Sequence, residues 1–432
     1  MTDQLAPPTP DEQQHQQKRL AKAKSEIMAG GAVKENLTDD ELAGGWQGLL
    51  AMGAILALFA WLAVANFWIF VFVVGVVISI FLHELGHYLT ARWTGMKVTQ
   101  FFLFFGPRLW SFRRGETEYG VRALPLGAFV RIIGMNRMDE VEPGDEARTY
   151  RQKSFPRRLL VISAGSIMHV LIAITLLFGV YAVAGEDVVT DGAQVGALSL
   201  NGPASEAGVE PGDVVVSVDG APVGSPAELG ELIRANEPQD RIVLGVLRDG
   251  VPIDIPLGLG ASENGDALAG ISSGSVVDTI DHSIPAAAGN AVTDIFPFAW
   301  ESTKGVVKVL NPVNIITHLS GDNEDLSSRP TTLYGVAQIS DDVGESSGWA
   351  GIILLLAVLN VFVGVFNMFP LLPLDGGHAA IAAYERVREA LRGGKERYFA
   401  DVERLMPFAM GVVTVLAMLM FAGLYLDIAK PL

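Results

Sequence analysis

The chain has 432 residues, half of them hydrophobic, no cysteine and a formal net charge of −17. The lack of cysteine excludes disulfides, thiolate metal sites and cysteine nucleophiles, so any metal must be held by His and carboxylates. The acidic balance argues against nucleic-acid binding, and the apolar content points to an integral membrane protein.

Residues 1–45 are polar and read as a disordered cytoplasmic tail, with a short helix around Gln17–Met28. They show no secretory signal peptide. From Gly48 to Leu82 no residue is charged. One helix of that length would span roughly 50 Å, against a hydrocarbon core of about 30 Å. The run is therefore read as two spans, 48–65 and 68–90, hinged near Asn66; one long tilted helix is the alternative. The first is an extra transmembrane helix (46–66), and the second opens a membrane core whose first half covers 67–185.

His83-Glu84-Leu85-Gly86-His87 lies at the end of the second span. Two His four apart project from one helix face and can grip one metal ion. Glu84 can serve as general base in metal-assisted hydrolysis, and a carboxylate adjoining a purely apolar run is costly without a task. The plainer reading is an amphipathic helix with two surface His. Segment 97–133 is not helical in pattern: Val98–Phe105 and Leu109–Phe112 are β-prone, Arg114-Gly115 reads as a turn, and Thr117–Leu126 alternates partially.

A further apolar run covers Leu159–Ala184. A soluble region follows, with a candidate α+β module at 187–262: strands Val214–Val218 and Ile242–Arg248 and a helix Pro226–Asn236. Residues 263–347 read as an extracytoplasmic or interfacial linker with an amphipathic helix over Pro297–Leu319. The second half of the membrane core, 348–428, holds apolar runs Gly348–Phe369 and Pro407–Leu426. At the end of the former stands Asn367, and Asp375-Gly376-Gly377-His378 follows. A catalytic zinc typically has three protein ligands. Asp375 can supply the third, or it can cap a helix beginning near Gly376; the residues alone do not choose. His378 is read as a residue beside the ligands or at the surface, with a ligand role as the competing alternative.

Segment 91–158 carries thirteen Lys and Arg and segment 386–404 six, whereas 186–295 carries three. The basic loops are expected in the cytoplasm and the acidic module outside. Alternating spans satisfy this and place the HELGH motif near the cytoplasmic side.

These residues carry a resemblance. The HELGH span, Phe105-Gly106-Pro107, Arg113–Val121, Leu124-Pro125-Leu126-Gly127 and Asn367 through Leu374-Asp375-Gly376-Gly377 resemble the site-2 protease family of intramembrane zinc metalloproteases. The Gly202–Gly220 stretch, with Pro211-Gly212-Asp213, looks like a PDZ domain, which narrows the likeness to the bacterial branch of the regulator-of-sigma-E-protease type. The resemblance implies an α-helical polytopic membrane protein: four core spans plus an extra N-terminal one, a membrane-associated β-hairpin or sheet, and an inserted α+β PDZ domain. It implies one zinc ion held by His83, His87 and Asp375, with Glu84 as catalytic base and Asn367 holding substrate backbone. The implied partners are the lipid bilayer and single-span membrane proteins already cut outside, such as anti-sigma-type regulators or signal-peptide remnants. The PDZ domain would act as a gate, and the β edge would pair with an unwound substrate. One departure stands out: where the family often shows Gly-Pro-x-x-Asn, this chain has Gly165-Ser166-Ile167-Met168-His169. His169 is read as a packing residue with one hydrogen bond, the alternatives being a fourth ligand or a proton relay. A non-catalytic scaffold and a zinc transporter are competing readings. The intact Glu84 and Asp375 oppose the first, and the scarcity of carboxylates within the spans opposes the second.

Overall fold

The computed structural model describes residues 46–135, 141–262, 264–323, 325–393, 397–400 and 402–430; the expected tail over 1–45 lies outside them. Contacts divide the chain into two compact units, one formed by residues up to Val180 with those from Ala288 onward, the other by Tyr181–Ala287.

The long uncharged run forms two helices, α1 (Trp46–Ala65) and α2 (Phe67–Trp93). Asn66 separates them in extended backbone, and its side chain caps α2 by accepting from the Ile69 amide at 2.9 Å. With α3 (Phe155–Val183), and with two later helices over Leu333–Asn367 and Met406–Ala429, the described residues contain five helices long and apolar enough to cross a membrane. The fold class is that of a polytopic helical membrane protein. α1 is the least embedded in protein, with Leu49, Trp61 and Val64 all well exposed, as suits a lipid-facing helix.

Between α2 and α3 run two long antiparallel strands, β1 (Val98–Arg114) and β2 (Thr117–Ile132). They do more than form a hairpin. Gln100–Leu103 pair with Glu118–Val121 on one side and with Ala128–Arg131 on the other, while Arg108–Arg114 pair with Thr117–Arg122. Both strands thus bend back into a sheet four rows wide, turning at Phe104, Gly106 and Gly127, all with positive φ. The end rows are 108–114 and 128–131. Tyr88 and Ala91 of α2, Val98 and Phe101 of β1, Ile132 of β2 and Val161 of α3 share one buried cluster, which holds this sheet against the helices.

The Tyr181–Ala287 unit is an antiparallel sheet in the order β7-β3-β4-β5-β6: β3 (Glu186–Leu198), β4 (Val214–Val218), β5 (Arg241–Arg248), β6 (Val251–Gly258) and β7 (Ile271–Ile280), with Ala221–Pro222 pairing β4. Helix α4 (Pro226–Arg234) buries Leu229 and Ile233 against Val215, Val218, Ile242 and Leu244. The expected boundary at 262 falls short, because β7 pairs with β3 over ten registered positions. β7 alternates Ser, Gly and Val without a strong apolar face, so its strand character depends on the partner it pairs with.

Asp213 is buried and takes two hydrogen bonds from Arg248, both 2.7 Å, and one from the Glu210 amide at 2.9 Å. The guanidinium holds its carboxyl below the usual carboxylate range. A depressed carboxyl stabilises fully above its unfolded pKa, about 3.9, and loses that contribution as pH falls through the lower folded value. Asp213→Asn is expected to cost the unit about 1.5–3 kcal/mol at neutral pH. Its penalty, read as faster hydrogen exchange at Val214–Val218, should shrink as pH falls through the lowered folded pKa.

The stretch Pro297–Leu319, expected as one helix, is divided between two, α5 (Ile295–Val309) and α6 (Pro312–Ser320). Pro312 cannot donate to a continuing helix, and Asn311 caps the new one by accepting from the Val313 amide at 3.1 Å. α7 (Leu333–Asn367) starts well before the expected Gly348; Gly348 is its kink, at φ 60° and ψ −143°. Its first turn is tied to α9 (Met406–Ala429), where Asp427 accepts from the Thr332 amide at 2.8 Å and from its hydroxyl at 2.7 Å. α8 (Asp375–Leu391) is anchored to the start of α3 by a buried ion pair, Arg158 to Glu385 at 2.5 Å.

Candidate metal centre

α2 presents His83 and His87 one turn apart. His87 Nδ1 donates to the Val161 carbonyl of α3 at 2.7 Å. That bond places the proton on Nδ1 and leaves Nε2 as a lone-pair donor. His87 Nε2 stands 3.2 Å from His83 Nε2 and 3.2 Å from Asp375 Oδ2, and His83 Nε2 stands 3.5 Å from that oxygen. Tetrahedral zinc with bonds of about 2.0–2.1 Å sets its donor atoms about 3.3 Å apart. The triangle therefore fits the ion, and it is the one such group of three His or carboxylate donors among the described residues.

Close helix contact makes this possible. The His83 ring lies flat on Gly165 of α3, where any Cβ would overlap it, and its Nδ1 is buried without a hydrogen bond. A Cβ built on Gly86 would stand 2.7 Å from the Ala164 carbonyl oxygen. Two glycines, one on each helix, let α2 and α3 meet where the donors gather.

Asp375 is the first residue of α8. The capping position belongs to Leu374, with no side-chain cap bond, so the Asp375 carboxylate is turned to the histidines instead. Gly376 and Gly377 admit the loop beneath that first turn: a Cβ on Gly377 would lie 2.7 Å from the Leu371 carbonyl carbon and the Leu372 nitrogen. The Asn367 amide donates to Asp375 Oδ2 at 2.7 Å and lies 3.4 Å from His83 Nε2. His378 is one turn further along α8 and outside the triangle.

Glu84 adjoins the first donor, within hydrogen-bonding reach of the Val130 amide in the end row 128–131. His169 is beside the donors rather than among them: its ring centroid is 5.0 Å from that of His83, and its Nδ1 donates to Asn360 Oδ1 at 2.8 Å. Asn360 in turn donates to Ser79 at 3.0 Å and to the Leu356 carbonyl at 2.7 Å. This buried polar chain joins α2, α3 and α7, and it satisfies groups that lipid could not. Sequence reasoning passed over Asn360 and gave Gly165 no role of its own. The first was visible as an amide inside an apolar run; nothing in the sequence marked the second as the floor under His83.

Residues 71–413 match the description Peptidase family M50. The zinc metalloprotease Rip1 of Mycobacterium bovis is 32% identical over 400 residues, which cover 84% of this chain and 98% of the relative. Its namesake in Mycolicibacterium smegmatis is 31% identical over 401 residues, with the same coverage of 84% and 98%. Among solved structures, the PDZ domain of an SdrC-like protein from Listeria innocua is 22% identical over 19% of this chain and 93% of its own, with a TM-score of 0.18.

Proposed function

The chain belongs to peptidase family M50 and is a multi-pass zinc metalloprotease; from that premise we propose that it cuts single-span membrane proteins within or beside the bilayer. The observation that carries this reading is the donor triangle itself, assembled with Glu84 from the end of one membrane helix and the start of a helix after another.

In this reading His83, His87 and Asp375 hold zinc, which supplies a Lewis-acidic centre that polarises a carbonyl and acidifies water. Glu84 takes a proton from the attacking water and passes it to the leaving amine. Asn367 keeps the Asp375 carboxylate in place and lies close enough to meet substrate backbone. A transmembrane helix hides its peptide bonds, so the substrate must unwind. The row 128–131, paired on one side only and adjacent to Glu84, offers the freed backbone replacement hydrogen bonds. In this reading the basic segments 91–158 and 386–404 are cytoplasmic, the metal centre is near that side and the Tyr181–Ala287 unit is extracytoplasmic. There that unit, read as a PDZ domain, admits substrates already trimmed by a first protease. The substrates would be anti-sigma-type regulators or signal-peptide remnants.

The test is reconstitution in liposomes with a tagged single-span reporter, its membrane segment of Leu and Ala loosened by a Gly-Pro pair. Cleavage is expected inside that segment by mass spectrometry, to cease with a zinc chelator and to return on adding zinc. Cleavage confined to soluble peptides would sink the intramembrane reading. Because the chain has no cysteine, single cysteines placed at 113 and 219 report the side of each loop; impermeant reagents labelling both from one side would refute the orientation.

A further inference from the structure

α3 supplies none of the three donors, yet one stripe of it serves all of them. Arg158, Val161, Gly165 and His169 follow one another at spacings of three, four and four residues, which puts them on one helix face. The Val161 carbonyl accepts from His87 Nδ1. Gly165 lies beneath the His83 ring, and the His169 ring stands against the same imidazole. Arg158 completes the stripe. Its guanidinium donates to Glu385 of α8 at 2.5 Å, and Asp375 is the first residue of that helix.

Glu385 lies ten residues beyond Asp375, about 15 Å along α8. Its side chain and that of Arg158 are each 7% exposed. Both carboxylate oxygens are engaged: Oε2 accepts from Arg158, and Oε1 accepts from the Ala400 amide at 2.8 Å. The stretch that holds Ala400 is fastened in turn to the residues before α3, where Arg397 donates to the Gln152 carbonyl at 2.8 Å. Stability alone does not call for a buried ion pair, since apolar residues of similar volume often serve as well. The pair does add direction. Ala379 and Ile381 also pack α8, but apolar contacts are non-directional and tolerate a small rotation. Charge-assisted bonds at both Glu385 oxygens resist one. Rotation of α8 about its axis is the motion that would turn the Asp375 carboxylate away from His83 and His87, and Gly376 and Gly377 have no side chains to oppose it.

Resting on the site proposed above, with Asp375 as a ligand, we infer that Arg158 and Glu385 are positioning residues for the metal. Their bond sets the rotation of α8 and so holds the Asp375 carboxylate on the two His nitrogens. α3 thereby fixes one ligand by its backbone carbonyl, one by a bare glycine and one by an ion pair to another helix.

The test measures zinc affinity on the full purified chain by competition with chelators of graded strength, and the visible spectrum of the cobalt-loaded chain. Glu385→Gln keeps the shape of the side chain and removes its charge. It is expected to weaken zinc about tenfold, the low end for an outer-shell partner, and to shift the cobalt spectrum toward that of Asp375→Ala. Because the pair acts through Asp375, adding Glu385→Gln to Asp375→Ala should weaken zinc by less than about twofold more. A merely structural role would weaken zinc equally in both backgrounds. Equal loss in both, or wild-type affinity and spectrum in Glu385→Gln, would overturn the positioning role. Should Glu385→Gln fail to fold, Glu385→Asp, which keeps the charge and shortens its reach, is judged by the same comparison. Wild-type zinc affinity in Asp375→Ala alone overturns the ligand assignment instead.

Discussion

Glu84→Gln is expected to lower cleavage of the single-span reporter by about 10²–10⁴-fold while bound zinc stays at the wild-type level. Both halves of that expectation come from the geometry. The donor triangle is closed by His83, His87 and Asp375 without Glu84, so losing its charge takes no ligand from the metal. Gln keeps the length of the side chain and its reach to the Val130 amide, but it cannot accept the proton that must leave the attacking water. Zinc is counted by plasma emission on the purified chain, and cleavage is followed in the same preparation. Unimpaired cleavage would remove Glu84 as the base; loss of zinc together with cleavage would make it a ligand instead.

Asp375→Ala is expected to weaken zinc binding by more than the roughly 10–100-fold typical of losing an outer-shell partner. The remaining Nε2 pair, 3.2 Å apart, belongs to one helix and has no third donor within the triangle. Asn367→Ala should sit in that lower range, because it removes only the 2.7 Å bond that orients the carboxylate. Gly165→Val reaches the same end from the opposite side: its side chain would occupy the place of the His83 ring, so zinc should fall while the helices persist by circular dichroism. Zinc retained in Asp375→Ala would turn attention to His378 or His169 as a ligand.

Much of this protein is written locally. The five apolar runs appear as five helices because a membrane helix satisfies all of its own backbone and needs only length and an uncharged stretch. The spacing of His83 and His87 places them on one face for the same local reason. Strand β7 was missed because Ile271–Ile280 has little apolar alternation, and its ten pairings with β3 come from a partner about eighty residues away. The early start of α7 was missed because Leu333–Ser347 is polar in places, and its first turn is secured by Asp427 from the last helix.

The metal centre divides the same way. Sequence alone determined that there are two histidines and a glutamate at the end of an apolar span, and that no cysteine competes with them. It left Asp375 between ligand and cap, because a carboxylate at a helix start serves either purpose with the same neighbours in sequence. Tertiary structure sets Asp375 with the histidines: Leu374 holds the capping position, and Asp375 Oδ2 lies 3.2 Å from His87 Nε2 across 288 positions of chain. The contact depends on Gly165 beneath His83 and on Gly376 and Gly377 beside the loop, where the absence of a side chain lets backbones approach. Distances between helices far apart in sequence are set by such packing, and no local pattern encodes them.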